Sequence, residues 1–334
     1  MSTEQLDKPI IEQPAKPSKG SALRGILPSR QEIVLLVLLA GLLGLAYALS
    51  PNFLTPTAQI GLSTHVWELA LIALPMTLII LTAGIDLSVG STMALSAVTF
   101  GLSYQAHLPI GVCALLTLAV GGLAGALNGF FVAYVRVHPL IATLATLAAY
   151  RGIAEGLSLG RPVSGFPDSF TQLGQGTLLG FPIPGLIFLV FLVAIGLCVT
   201  RLPLGLWLSA IGYNETAARY SGIAVSKIKF WLYTSSGLMA ALAALLFVAR
   251  RNTAKADVGA GMELGVITAV VLGGTSIFGG RGRLFGTVLG VLLIHETREF
   301  VSWQWNRDEL NLIVIGMLLI LSVLADSLLS PKAR

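Results

Sequence analysis

The sequence predicts an all-α, polytopic transmembrane helix bundle with about ten spans. Hydrophobic residues make up 55% of the 334 residues and charged residues only 11%, whereas soluble domains carry about 25% charged residues. The mean hydropathy of +0.84 agrees with this composition. A helix crosses the roughly 30 Å hydrocarbon core with about 20 apolar residues, and runs of that kind occupy most of the chain.

The candidate spans are apolar runs between polar or Gly/Pro-rich breaks. Residues 1–30 are polar and rich in Pro and Lys, which predicts a disordered cytoplasmic tail before a transmembrane domain over 31–330. A short amphipathic stretch at 53–65, a Gly/Pro-rich loop at 159–181 and a polar loop at about 201–229 separate some of the spans. The spans are expected at 33–49, 67–84, 87–104, 110–135, 139–158, 183–200, 230–249, 261–278, 284–300 and 309–326.

The distribution of basic residues predicts that both termini are cytoplasmic. With the N-terminus inside, about two thirds of the Lys and Arg residues fall in inner segments, as the positive-inside rule requires. Arg250 and Arg251 fall on the outer side and oppose that bias. The net charge of +5 is therefore attributed to basic residues in cytoplasmic segments that set the orientation of the chain in the membrane. No stripe of Lys and Arg residues is interleaved with aromatic residues, so no nucleic-acid partner is expected. The apolar composition makes membrane lipid the expected surrounding.

Small residues and a faint internal similarity indicate how the bundle is built. The glycines between Gly121 and Gly125 are expected to let helices pack closely. A shift of 195 residues places Glu68-Leu69 on Glu263-Leu264 and Gly84 on Gly279. Because transporters are often duplicated, this predicts an internal pseudo-repeat as a hypothesis.

The segment from Ala83 to Ser91 is the first candidate for function. It places Asp86 between two apolar runs with almost no room for a loop, and an acidic side chain there should face protein or water. One alternative is a turn at the inner surface, with Asp86 or Ser88 as the helix N-cap. The other is a broken helix that lines the solute path. The candidate pathway residues are Asp86, Ser88, Ser91 and, in the fourth span, Asn128, which could contact a solute hydroxyl or a neighbouring carbonyl.

The second candidate is a short helix in the loop after the sixth span. Residues 214–221 are good helix formers, with Asn214 as a plausible N-cap and Gly222 at the C′ position. Such a helix buries little by itself. It either docks into a groove on a partner or is a solvated loop without a role.

This loop resembles a known motif. Thr216-Ala217-Ala218, three residues and Gly222 resemble the E-A-A-x-x-x-G coupling motif of ABC importer permeases, although Thr216 replaces Glu and Glu215 comes one position early. The ribose-type sugar permeases, in the branched-chain amino acid/sugar permease superfamily, show G-x-N-x-x-A-A-x-x-S-G-I. That variant fits Gly212, Asn214, Ala217, Ala218, Ser221, Gly222 and Ile223.

Further segments carry the same resemblance. G-G-I-D-L-S-V-G-S is matched except that Ala83 replaces the first Gly, and the run from Ala269 to Thr287 is similar to A-V-V-L-G-G-T-S-I-F-G-G-x-G-x-x-x-G-T. Pro139 to Leu144 and Asn52 to Thr55 also fit. Together these segments extend over roughly residues 52–287.

The resemblance implies a permease subunit of a bacterial ABC importer for a sugar or sugar-like solute, in the inner membrane. Two permease subunits, identical or different, would pair, and a periplasmic binding protein would deliver the solute. ATPase subunits would grip the coupling helix, formed by Asn214, Glu215, Thr216, Ala217, Ala218, Ser221, Gly222 and Ile223.

The residues themselves predict a transporter that does not hydrolyse ATP. No G-x-x-x-x-G-K-[ST] phosphate loop occurs, so ATP and Mg²⁺ are expected on a partner and no cofactor or metal on this chain. The alternative function is an ion-coupled secondary transporter, which needs ionisable residues at membrane depth, and only Asp86 clearly qualifies. A membrane enzyme would need converging acids, bases or metal ligands, and none can be identified.

Overall fold

The computed structural model describes residues 29–305 and, near the C-terminus, positions 310, 311, 313, 314, 316–318 and 320. Except for Ser29 and Arg30, the predicted N-terminal tail lies outside the described residues, and so does most of the predicted tenth span. The first helix begins with a capping box, in which the Ser29 hydroxyl accepts a hydrogen bond from the Glu32 backbone and the Glu32 carboxylate accepts one from the Ser29 backbone.

The described part of the chain is almost entirely helical. A 3₁₀ turn (Pro51–Leu54) follows the first helix, a π-helical turn (Phe131–Val135) follows the helix Ile110–Phe130, and two small antiparallel strand pairs, Val163–Ser164 with Thr253–Ala254 and Thr177–Leu178 with Phe181–Pro182, lie in loops. The strands are β1 (Val163–Ser164), β2 (Thr177–Leu178), β3 (Phe181–Pro182) and β4 (Thr253–Ala254). The helices are α1 (Arg30–Leu49), α2 (Pro56–Ser63), α3 (Trp67–Leu81), α4 (Val89–Gln105), α5 (Ile110–Phe130), α6 (Pro139–Ser158), α7 (Asp168–Gln175), α8 (Ile183–Arg201), α9 (Leu204–Tyr213), α10 (Glu215–Tyr220), α11 (Val225–Arg251), α12 (Met262–Leu272) and α13 (Leu284–Trp305).

The long apolar helices confirm a polytopic helical membrane protein. Within the described residues, five helices are long and apolar enough to span a bilayer, namely α1, α5 with its π-helical turn, α6, α8 and α11. A sixth results if α2 and α3, which meet at a 58° bend, are taken as one span. The predicted span over 261–278 is wrong in length, because α12 ends at Leu272 and the chain then turns at Gly273 and Gly274.

Helix α11 is the centre of the bundle. Its 27 residues contact α3, α4 and α5, and most of its apolar side chains are buried. The closest approach is to α5, where a Cβ on Gly125 would lie 2.3 Å from the Tyr233 carbonyl oxygen and one on Gly121 would lie 2.6 Å from the Gly237 carbonyl oxygen. This confirms the prediction that these small residues serve helix packing, which lets two backbones meet without a side chain between them.

The bundle repeats one arrangement of helices. Helix α3, a break and α4 are followed later by α12, a break and α13. The starts of α3 and α12, Trp67 and Met262, are 195 residues apart, and so are the starts of α4 and α13, Val89 and Leu284. The same shift aligned the sequence, and this agreement supports the pseudo-repeat.

Candidate functional site

Helix α10 has the boundaries that the sequence predicts, but the predicted loop over about 201–229 is wrong in extent, because it also contains α9 and the start of α11. The Asn214 side chain accepts a hydrogen bond from the Ala217 backbone at 2.9 Å and caps α10. Gly222 follows the helix with φ +85°. The Gly222 N–H donates to the Arg219 carbonyl (3.1 Å) and the Ile223 N–H to the Ala218 carbonyl (3.2 Å), which is the Schellman pattern of helix termination. Both predicted caps are confirmed.

The two alanines of the motif point in different directions. Ala218 is only 4% exposed and packs with Ile211 and Val225. Ala217 is exposed, as is Tyr220 at 90%. Ala218 therefore holds α10 on its own chain, while Ala217 and Tyr220 lie on the surface that a partner could reach.

Glu215 fixes α10 to the start of α11. Its carboxylate pairs with Arg219 at 2.9 Å within α10, and with Lys229 of α11. Partial burial raises the pKa of the Glu215 carboxyl, but the hydrogen bonds and charges of Lys229 and Arg219 outweigh that effect and hold its pKa below the ordinary value. The carboxylate is therefore charged at neutral pH and ties the loop helix to the long central helix.

The end of α9 lies directly against both helix breaks. A Cβ on Gly212 would be 2.0 Å from the Leu81 carbonyl oxygen and 2.2 Å from the Gly280 nitrogen. The Gly280 N–H donates to the Leu81 carbonyl at 2.9 Å, and the Tyr213 ring lies against Gly280. The loop that carries α10 thus touches the end of α3 and the turn between α12 and α13 at one point.

The break between α3 and α4 is held by a buried polar cluster around Asp86. Oδ1 of Asp86 accepts hydrogen bonds from the Ser88 backbone (3.0 Å) and the Ser88 hydroxyl (2.7 Å), and Oδ2 accepts one from the Ser236 hydroxyl at 2.9 Å. Ser88 is the first residue before α4 and makes no side-chain cap. Of the two predicted alternatives for the N-cap, Asp86 and Ser88, Ser88 holds that position, but its side chain does not cap the helix because its hydroxyl donates to Asp86.

The other predicted pathway residues join the same cluster. Asn128 Nδ2 donates to the Ser88 hydroxyl at 2.7 Å, and the Ser91 hydroxyl donates to the Ser88 carbonyl at 2.8 Å. Asp86, Ser88, Ser91 and Asn128 are each at most 1% exposed. The structure therefore brings all four together as a network inside the bundle, with Asn128 bonded to a side chain rather than to a helix carbonyl. That they line a solute path stays a prediction.

The depth of this cluster favours a broken helix over a turn at the membrane surface. Ser236 lies in the interior of α11, about 16 Å from its first residue at 1.5 Å per residue. Sequence reasoning missed Ser236, and also Tyr233 and Thr143, whose hydroxyls donate to the Ile85 carbonyl (3.4 and 3.3 Å). A signal for Ser236 existed, since Ser235 and Ser236 interrupt an apolar span.

Among the residues that the structure describes, no three side chains of His, Cys, Asp or Glu are grouped as metal ligands. The chemistry that the two candidate regions offer is hydrogen bonding and mechanical contact.

Known proteins with similar sequences give the context for these regions. The family described as "Branched-chain amino acid transport system / permease component" matches residues 59–323. The autoinducer 2 import system permease protein LsrD of Yersinia enterocolitica is 35% identical over 300 residues, which cover 88% of this chain and 90% of that protein. The ribose import permease protein RbsC of Haemophilus influenzae is 34% identical over 313 residues, which cover 92% and 96%. No solved structure matches the chain significantly.

Proposed function

Because this chain belongs to the permease-component family of branched-chain amino acid transport systems, we propose that it carries a sugar or sugar-like solute across the inner membrane as the permease subunit of an ATP-driven importer. The family is one of transport permeases, not of enzymes. The solute class is supported by two relatives, one named a ribose import permease and one an autoinducer 2 import permease. One structural observation carries the mechanism: the α9–α10 segment lies against both helix breaks at once.

The segment 214–223 is the proposed contact with an ATPase subunit. It is closed at both ends by Asn214 and by the turn at Gly222, so it can transmit force as a rigid unit. Its exposed surface includes Ala217 and Tyr220. ATP and Mg²⁺ belong to that partner, since the sequence has no phosphate-binding G-x-x-x-x-G-K-[ST] loop.

Force on α10 has a direct route into the membrane. Through Gly212 it reaches the Leu81 carbonyl and Gly280, the two points where the repeated helix pairs break. The Asp86 network stiffens the first break, so displacement at Leu81 moves α4 as well. Asp86, Ser88, Ser91 and Asn128 are buried in this structure. A solute would reach them only when this helix break opens, and they would then line the pathway.

The proposed orientation has both termini in the cytoplasm. Glu32, in the first turn of α1, pairs with Arg283 at 2.9 Å. Arg283 follows the turn at Gly280 that touches the α9–α10 segment. The start of α1 and the proposed coupling segment therefore lie at the same end of the bundle. A second permease subunit and a periplasmic solute-binding protein complete the proposed importer.

An ion-coupled transporter is less well supported. Asp86, the relay group that the sequence suggests for such a transporter, receives its hydrogen bonds from hydroxyl groups and a backbone N–H. None of these donors is an acid or base that takes up a proton near neutral pH. A proton relay through Asp86 would therefore lack a titratable neighbour among the groups bonded to it.

The test is a pair of charge-matched variants. Ala217→Arg changes the exposed face of α10, and Leu179→Arg adds the same charge to an exposed turn elsewhere. We expect Ala217→Arg to insert and purify normally but to lose copurification with the ATPase subunit and ATP-driven uptake in proteoliposomes, while Leu179→Arg retains both. Uptake by the wild type that follows a pH gradient and needs no ATP would overturn the proposal.

A further inference from the structure

A cavity of about 370 Å³ lies at the end of the bundle opposite the α9–α10 segment. It is lined by residues around the start of α3, the end of α11, the start of α12, α13 from Val291 to Ser302, and Asn311. Helix α3 touches Gly212 through its last residue, and its 15 residues place its first turn about 20 Å away. The cavity and the proposed coupling segment are therefore at the two ends of the same helices.

The cavity wall carries charged groups that an apolar bundle would not otherwise bury. Glu68 and Arg250 line it, and their side chains are 3% and 12% exposed. Two guanidinium nitrogens of Arg250 donate to the same Glu68 oxygen, at 2.8 and 2.9 Å. The guanidinium also lies over the Phe247 ring, 5.4 Å from its centroid. Removing the Glu68–Arg250 ion pair from water costs free energy, and charged groups buried in a membrane bundle commonly mark a solute site. Both residues line this cavity.

The opposite wall, from α13, adds a second polar group. Glu299 accepts a hydrogen bond from His65 at 3.2 Å and lies 4.0 Å from His295. Arg298 lines the cavity beside it and is itself exposed. This wall therefore presents donors and acceptors close to one another.

The side-chain amide of Asn311 in the cavity lining is only partly satisfied by the described residues. Asn311 lines the cavity, is only 7% exposed, and donates through Nδ2 to the Ser302 hydroxyl at 2.7 Å. Its Oδ1 is buried and has no hydrogen-bond partner among the residues that the structure describes. Leaving a buried acceptor unpaired costs about 1–3 kcal/mol, so a donor from a bound molecule would be stabilising there.

We infer that this cavity is a binding site for one small, hydroxyl-rich solute that is neutral or carries a single negative charge. Its volume is near the lower end of the range for small-molecule sites, about 300–1,000 Å³, and suits one monosaccharide-sized molecule. The lining holds three arginines (Arg250, Arg251 and Arg298) against two glutamates (Glu68 and Glu299), which disfavours cations. Hydroxyl groups can donate to Asn311 Oδ1 and the carboxylates and can accept from the guanidinium groups.

This inference rests on the proposed function and gives it a location. The site is at the end of the bundle away from the ATPase contact, where a solute enters before the breaks move. It is separate from the Asp86 network, in which Ser88 and Ser236 donate to Asp86 and Asn128 donates to Ser88.

The first measurement is the concentration dependence of ATP-driven uptake, with the permease, its ATPase and its binding protein reconstituted in proteoliposomes. Radiolabelled D-ribose, D-xylose and D-galactose serve as probes. We expect Arg298→Gln and Asn311→Leu to raise KM by roughly tenfold, as the loss of one hydrogen bond to solute implies, with kcat little changed. Arg161→Gln, an exposed arginine outside this cavity, is the matched control and should retain the wild-type KM. Wild-type KM in both cavity variants would overturn the inference.

A second measurement needs no transport and separates the two proposals. A membrane-impermeant maleimide should label Ser302→Cys in a Cys198→Ser background, and the monosaccharides in excess should abolish that labelling. Leu179→Cys should be labelled with or without sugar. Failure to label Ser302→Cys while Leu179→Cys reacts, or labelling that no sugar affects, would contradict the site. Absence of ATP-driven uptake in the wild type, with Ser302→Cys still protected, would contradict the proposed function alone.

Discussion

Gly212 at the end of α9 lies against the carbonyl oxygen of Leu81 at the end of α3, so closely that a Cβ on Gly212 would be 2.0 Å from that oxygen. Such a contact is possible only for glycine, because no real Cβ approaches an oxygen at that distance. This is where the loop that carries α10 meets the first helix break. The contact links the segment that carries the proposed ATPase contact directly to the end of α3.

Gly212→Ala should separate these two elements. We expect the added methyl group to force α9 away from α3, at a cost of about 1–3 kcal/mol from overpacking, and to lower the ratio of solute transported to ATP hydrolysed. Gly196→Ala in α8 is the control, because nothing lies within 4 Å of its Cβ position. Thermal midpoints in detergent and transport stoichiometry in proteoliposomes measure both effects. An unchanged stoichiometry in Gly212→Ala would show that the contact transmits nothing.

Asp86→Leu should destabilise the bundle strongly. The change leaves the Ser88 N–H, the Ser88 hydroxyl and the Ser236 hydroxyl without their acceptor, and we expect a loss of about 3 kcal/mol or more. Ser236→Ala removes one donor and should cost only about 1 kcal/mol. The temperature midpoint at which half of the protein is no longer monodisperse measures the stability of each variant. A wild-type midpoint for Asp86→Leu would mean that the network adds no stability.

Gly125→Ala and Gly152→Ala should change stability in opposite directions. Alanine favours a helix over glycine by up to about 1 kcal/mol, and Gly152 has open space around its Cβ position. At Gly125 a Cβ would meet the Tyr233 carbonyl oxygen at 2.3 Å, so the clash with α11 should outweigh the propensity. Thermal unfolding in one detergent checks the sign, and two equal shifts would rule out the close α5–α11 packing.

Acidification should release α10 from α11. Because the pKa of Glu215 is lowered in the folded protein, its pairs with Lys229 and Arg219 contribute fully above the ordinary carboxyl value of 4.5 and are lost as the pH falls through the lower, folded value. We expect the protection of residues 214–223 from hydrogen exchange, corrected for the intrinsic rate, to be roughly two- to threefold lower below the folded pKa of Glu215 than at pH 7. Glu215→Gln should be less protected at pH 7 and should show no such step. A step of equal size in Glu215→Gln would assign it to another group.

Local rules predicted much of this structure. The caps at Asn214 and Gly222 follow from backbone preferences of single residues, and the bilayer imposes the long apolar spans. The 195-residue shift rested on few matching residues, yet it aligns the starts of two helix pairs.

What the sequence did not predict depends on long-range packing. The burial of Ala218 and the exposure of its neighbour Ala217 are decided by where α10 meets Ile211 and Val225, which no local pattern encodes. The early end of α12 was not predicted, because Ile277 and Phe278 restore the apolar character after the small residues from Gly273 to Ser276. The cavity is lined by side chains from His65 to Asn311, and only the folded bundle brings them together.

Site-specific cross-linking between α10 and the ATPase subunit tests the coupling role most directly. A cysteine at Ala217, in a Cys198→Ser background, should form a cross-link with the ATPase subunit in membranes, and the yield should change when ATP is added. Leu179→Cys should form none. Absence of any cross-link from Ala217→Cys in a complex that still takes up solute with ATP, or its reaction with an impermeant reagent from the periplasmic side, would contradict the coupling role.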